Sequence, residues 1–155
     1  MRFTGLDHIG YTVTSLDRSI PFYTFLLGAE PVGRLMWEPE KDEFTGRIVG
    51  YPGLKLEGAF WQLPGGIVLE LLQYHDPEAG HVDMETYNVG SGHLGLETED
   101  IRADFDRLRG HVEFRNFEPV QIPSGPAKGG WAIYMRDPDG ITIELVQAPP
   151  TASTV

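Results

Sequence analysis

The chain contains no cysteine, which excludes disulfides, thiolate metal ligands and thiol nucleophiles. No apolar run approaches the length of a membrane span. The N-terminal Met1-Arg2-Phe3-Thr4-Gly5-Leu6 lacks the apolar stretch of a signal peptide. A cytoplasmic protein is therefore expected. Positive charge is scarce, with 12 Lys and Arg against 23 Asp and Glu and a formal net charge of -11. Nucleic acids and anionic membranes both need a positive field, so neither is expected as a partner. The acidic surplus chiefly serves solubility, and a bound divalent cation would offset part of it locally. What is present is 155 residues, 41% of them apolar. That is enough for one domain, or for two small halves fused into one.

Two halves are visible because a phrase recurs. Pro64-Gly65-Gly66-Ile67-Val68-Leu69-Glu70-Leu71-Leu72-Gln73 returns as Pro138-Asp139-Gly140-Ile141-Thr142-Ile143-Glu144-Leu145-Val146-Gln147. Each copy is a turn and an apolar strand with one Glu in its middle. A carboxylate there is costly unless it is paired or bound to a metal. Upstream, Leu6-Asp7-His8-Ile9-Gly10-Tyr11-Thr12-Val13 matches Ser91-Gly92-His93-Leu94-Gly95-Leu96-Glu97-Thr98.

A helical pattern follows each His segment. Leu16, Ile20, Tyr23 and Leu27 keep helical spacing up to Gly28, and Asp100 can cap a helix carrying Ile101, Phe105 and Leu108 that ends at Gly110. Pro21 fits poorly beyond the first turn of a helix capped at Ser15, so the helix starts nearer Ser19 or bends. Strands are expected at Pro31 to Trp37, Leu54 to Leu63 and Ile67 to Tyr74, then at Val112 to Phe117, Trp131 to Arg136 and Ile141 to Gln147. The fold class is therefore α+β: two β-α-β-β-β modules, each a sheet with a helix on one face, pairing as a curved sheet around a cleft. Module one spans 5–75 and module two 91–148, with a linker at 76–90, all within a single domain of 1–148. A short helix is expected near Phe44 to Ile48, a flap at Pro123 to Gly130, and a disordered tail at 149–155.

Strand alternation puts one inward His and one inward Glu in each half. If His8 faces the cleft, Gly10 faces it too; the same holds for His93 and Gly95. Each Gly leaves room for a ligand. Two neutral imidazoles and two carboxylates neutralise a divalent cation and leave positions open for water or substrate. His8, Glu70, His93 and Glu144 are the candidate metal ligands. A nitrogen and oxygen set without sulfur suits Zn, Ni, Co, Mn or Fe. Singly, each residue has a plainer reading as a hydrogen-bonded His or an edge Glu; the matched positions favour one shared site.

These segments, together with Asp17-Arg18-Ser19-Ile20-Pro21-Phe22-Tyr23 and Asp137-Pro138-Asp139-Gly140-Ile141-Thr142-Ile143-Glu144-Leu145, resemble the vicinal oxygen chelate superfamily of glyoxalases, bleomycin-resistance proteins and extradiol dioxygenases. The resemblance runs from about Leu6 to Gln147. It implies paired β-α-β-β-β modules with metal ligands from the first and fourth strands of each, and so the same four residues. It implies a small-molecule substrate with vicinal oxygens, and a homodimer. The activity it implies is a metal-dependent, glyoxalase-like lyase, isomerase or epimerase moving a proton beside a metal-bound substrate oxygen. Glu144 and Glu70 are the candidate catalytic bases. Alternatives are an extradiol-type ring-cleaving dioxygenase using Fe(II), which a fourth protein ligand would crowd, and a non-catalytic binding or resistance protein. Met36, Phe60, Trp61, Trp131 and Tyr134 are candidate substrate-binding residues. His75, His81 and His111 read as surface residues.

Overall fold

In a computed structural model, residues 2–40 and 43–150 are described. Of the tail expected at 149–155, residues 151–155 lie outside that range. The chain divides into two compact units, 1–81 and 82–155.

The first unit runs β1 (His8–Thr12), α1 (Leu16–Leu27), β2 (Gly33–Trp37), α2 (Glu43–Val49), β3 (Lys55–Gln62) and β4 (Val68–Asp76). Its sheet has the order β1-β4-β3-β2. The β1–β4 pair is parallel and the others antiparallel. The second unit runs β5 (His93–Glu97), α3 (Ile101–Leu108), β6 (Glu113–Phe114), β7 (Val120–Gln121), β8 (Trp131–Arg136) and β9 (Thr142–Gln147). Its order is β5-β9-β8-β6, with β7 also on β8. The mixed α+β class and the repeated module are as the sequence indicates. Among the described residues, no helix is long and apolar enough to cross a membrane.

Each module buries one face of its sheet under its helix. In the first, Leu16, Tyr23 and Leu26 of α1 cover Ala59, Trp61, Leu69 and Leu71, all buried. The Tyr23 and Trp61 rings lie 6.0 Å apart, and the Trp61 indole N–H donates to the Ala29 carbonyl (3.0 Å). In the second, Ile101 and Leu108 of α3 are buried with Leu94, Ile133, Met135, Ile143 and Leu145. Each buried aliphatic side chain contributes about 1.5–3 kcal/mol. Pro21 lies within α1, which nonetheless starts at Leu16. It sits on the exposed side, where one lost backbone bond costs least.

The turns before the two Glu-bearing strands are built differently. Pro64–Gly66 forms a 3-10 turn with Gly65 and Gly66 at φ of 80° and 84°. In the second copy the Asp137 carboxylate takes over. Its Oδ1 accepts the Asp139 and Ile141 N–H groups, both at 2.8 Å.

Three segments depart from the sequence-based expectation. The strand expected at Val112 to Phe117 is only β6, and its continuation is the separate β7. Pro119 stands between them and has no N–H to give a ladder. The flap expected at Pro123 to Gly130 is a tied loop, in which Ile122 N–H donates to the Gly130 carbonyl and Gly129 N–H to that of Ile122, both at 2.9 Å. Inside the expected linker, Glu85 pairs with Arg115 (2.9 Å) and Arg136 (2.8 Å), which fastens its segment to the second unit.

Candidate active site

Parallel pairing of the first and fourth strands sets which side chains share a row. In the first unit Gly10 stands opposite Glu70, and Glu70 opposite Phe60 on the next strand. In the second, Gly95 stands opposite Glu144, and Glu144 opposite Tyr134. Both sheets therefore carry the same row of glycine, glutamate and aromatic ring, on the face away from the helix. His8 and His93 precede their glycines by two residues and so project from that face. Their burial alternates accordingly: His8, Gly10 and Thr12 are exposed, as are His93, Gly95 and Glu97, while the residues between are more covered.

Within each unit the His and Glu side chains meet. His8 Nε2 lies 3.9 Å from Glu70 Oε2, and His93 Nε2 lies 3.2 Å from Glu144 Oε2. The imidazoles are about half exposed, at 54% and 45%, and the carboxylates mostly covered, at 22% and 21%. The His8 Nδ1–H donates to Asp7 Oδ1 (2.8 Å). That bond raises the His8 pKa; slight burial opposes it, and the Glu70 charge adds to it. His93 lies against Tyr134, with ring centroids 5.4 Å apart. Burial first and the Glu144 charge second raise the Tyr134 phenol above its ordinary value, so it stays a protonated donor at neutral pH. Tyr74 has the matching tendency near Glu70.

Donor atoms sharing one cation at bonds of about 2.1 Å stand roughly 3.0–3.4 Å apart. The His93–Glu144 pair has that spacing at 3.2 Å, and the His8–Glu70 pair is wider at 3.9 Å. A carboxylate on His8 Nδ1 leaves Nε2 as the free lone pair, as a metal ligand requires. Each pair thus offers one nitrogen and one carboxylate oxygen, donors that suit a divalent cation. Among the described residues, no group of three or more His, Asp or Glu side chains is gathered as a metal-holding cluster.

The five candidate substrate contacts separate by face. Phe60 and Tyr134 lie in the glutamate rows. Trp61 does not: it pairs with Leu69, is 1% exposed and belongs to the core under α1. Trp131 pairs with Gln147, and the Arg102 guanidinium from α3 lies 4.5 Å from its ring centroid, so it too faces the helix. Met36 pairs with Glu57 on the helix side, and Trp37 takes the glutamate side, with its ring 6.1 Å from Phe60. Those three are corrected by strand parity. His75 is not a bare surface residue, since its Nε2 lies 3.5 Å from Glu57.

A second repeated device carries no site chemistry but places the site. Gln73 Oε1 accepts the Leu16 N–H at the start of α1 (2.8 Å), and Gln147 Oε1 accepts the Ile101 N–H at the start of α3 (3.0 Å). Both glutamines follow their glutamate by three residues on the opposite face. The signal was present in the repeated phrase, which ends on Gln each time.

Comparison with known proteins gives this arrangement a context. Residues 5–145 match the Glyoxalase/Bleomycin resistance protein/Dioxygenase superfamily. A 2-epi-5-epi-valiolone epimerase of Actinomyces sp is 28% identical over 149 residues, which cover 96% of this chain and 81% of that protein. The lactoylglutathione lyase of Salmonella typhimurium is 33% identical over 147 residues, 92% of each chain. The chain spans only 44% of the length of a lactoylglutathione lyase of Arabidopsis thaliana. A solved glyoxalase family protein from Bacillus cereus matches at a TM-score of 0.75 and 27% identity, covering 96% of this chain and 99% of that one. By the family match along its length, the chain belongs to the Glyoxalase/Bleomycin resistance protein/Dioxygenase superfamily.

Proposed function

We propose that the protein is a metal-dependent lyase, isomerase or epimerase that moves a proton on a carbon next to a substrate oxygen. The observation that carries this reading is one His–Glu pair on each sheet at identical register. On this reading His8, Glu70, His93 and Glu144 hold a single Zn, Ni, Co, Mn or Fe ion, and the two modules act as one domain. The cation supplies Lewis acidity, which makes a C–H beside a carbonyl easier to ionise. On this reading Glu70 and Glu144 take and return the proton; each is mostly covered and stands opposite a glycine. Phe60 and Tyr134 stand beside these carboxylates on the neighbouring strand. The names of two relatives, an epimerase and a lactoylglutathione lyase, go with proton transfer. A homodimer, implied by the family resemblance, and a cytoplasmic location, expected from the sequence, belong to the same reading.

The test is elemental analysis of the purified protein, followed by an anaerobic solvent-deuterium assay of the cation-loaded form. Hydroxy-ketone, thiohemiacetal and acyl-CoA probes cover the candidate substrates. One divalent cation per chain and deuterium entry beside the carbonyl are expected. Glu70→Gln and Glu144→Gln are each expected to lower the rate by about 10²–10⁴-fold. Oxygen uptake with a catechol by the Fe(II)-loaded protein, with Glu70→Gln fully active, would replace this reading with a ring-cleaving dioxygenase. No bound cation and no turnover would leave a binding protein.

A further inference from the structure

The two His–Glu pairs match in register, but the residue before each histidine differs. Asp7 precedes His8 and accepts its Nδ1–H at 2.8 Å, while His8 Nε2 points toward Glu70. Gly92 precedes His93 and offers no side chain. The strand itself does not require an aspartate there, because His93 keeps the equivalent place without one. Nor does stability explain it: the Asp7 side chain is 96% exposed, and exposed pairs of this kind contribute little. A carboxylate can only accept, so the contact favours the ring proton on Nδ1 and leaves Nε2 as the lone pair.

We infer that Asp7 is a positioning residue that holds His8 as the Nδ1–H tautomer with its Nε2 lone pair directed at the cation, and that the second half-site lacks this device. The inference rests on the metal-centre reading of the two pairs. It makes the centre unequal, with the tautomer of the first unit's imidazole set in advance and that of the second set only on binding. The space beside Gly92 is open, since a Cβ placed there meets nothing within 4 Å. The device can therefore be removed from one half and built into the other.

The experiment uses the whole protein in four forms: unsubstituted, Asp7→Ala, Asp7→Asn and Gly92→Asp. Imidazole ¹⁵N spectra of the cation-free proteins above pH 8 report the tautomer. Competition against a chromophoric chelator reports Zn²⁺ and Co²⁺ affinity. His8 is expected as the Nδ1–H form in the unsubstituted protein, to lose that preference in Asp7→Ala and to keep most of it in Asp7→Asn, whose amide oxygen still accepts. Affinity is expected to fall about 10–100-fold in Asp7→Ala, less in Asp7→Asn, and to rise in Gly92→Asp. An unchanged His8 tautomer, with affinity within twofold in Asp7→Ala, would overturn the inference while leaving the metal centre intact. No cation binding by the unsubstituted protein would instead overturn the metal centre, and this inference with it.

Discussion

Gln73 and Gln147 each tie a glutamate-bearing strand to the first turn of its helix. The first four N–H groups of a helix have no partner within it, and Ile101 is almost fully buried. Replacing Gln147 with Ala strands that donor, and a loss of about 1–3 kcal/mol is expected in urea unfolding. Gln147→Glu keeps an acceptor and adds a charge that suits a helix N-terminus, so most of the stability is expected to remain. A stability of Gln147→Ala equal to the unsubstituted protein would show that the N–H is satisfied elsewhere. The same alternation that exposes the glutamates was enough to sort the aromatics. Phe60 and Trp61 are neighbours on a strand and must face opposite sides; Trp131 and Tyr134 are three apart and must do so too. The sequence carried this information, but the aromatic composition of the strands obscured it. What parity cannot reveal is a side-chain to main-chain bond such as that of Gln147, which depends on how near the helix start comes to the strand end.

The start of α3 shows how one element is held by charge. Asp100 Oδ1 accepts the Arg102 and Ala103 N–H groups, at 3.1 and 3.0 Å. One turn on, burial pushes the Asp104 carboxyl up, but the Thr98 hydroxyl and Arg107 outweigh it and hold its pKa below the ordinary value. A carboxyl depressed in the folded state adds stability above the unfolded pKa and loses it as the pH falls through the folded one. Asp104→Asn is therefore expected to cost about 1 kcal/mol at pH 7. The difference from the unsubstituted protein is expected to shrink below the ordinary aspartate value of about 3.9. Thermal unfolding from pH 2 to 7 checks this, and a gap constant across the range would contradict it. This helix was legible because cap, apolar spacing and terminal glycine agree. The strand after it was not: its β-prone residues are interrupted by Pro119, and the reading stopped where a second short strand resumes. In α1 the proline suggested a later start, but the buried Leu16, Ser19 and Tyr23 kept the helix running through it.

At the scale of the whole chain, duplication is what made the fold readable. Each half alone has a modest signal, and the agreement of two halves gives the module its sequence of elements and its paired His and Glu. The net charge of -11 belongs to this scale too. Such a field draws cations toward the surface over about 30 Å at 0.01 M salt but only about 8 Å at 0.15 M. Association of Zn²⁺ or Co²⁺ is therefore expected to slow severalfold across that range in stopped-flow measurements. A rate independent of salt would mean that only the local ligands matter. The two sheets also end differently. At one edge of the first lies the unbroken five-residue β2; at the corresponding edge of the second lie β6 and β7, two residues each, with a break between them that ends at Pro119. A foreign strand seeking to extend the second sheet there finds two footholds too short to build on. The proline thus acts as a guard against templated aggregation, which the first sheet's margin must resist by other means.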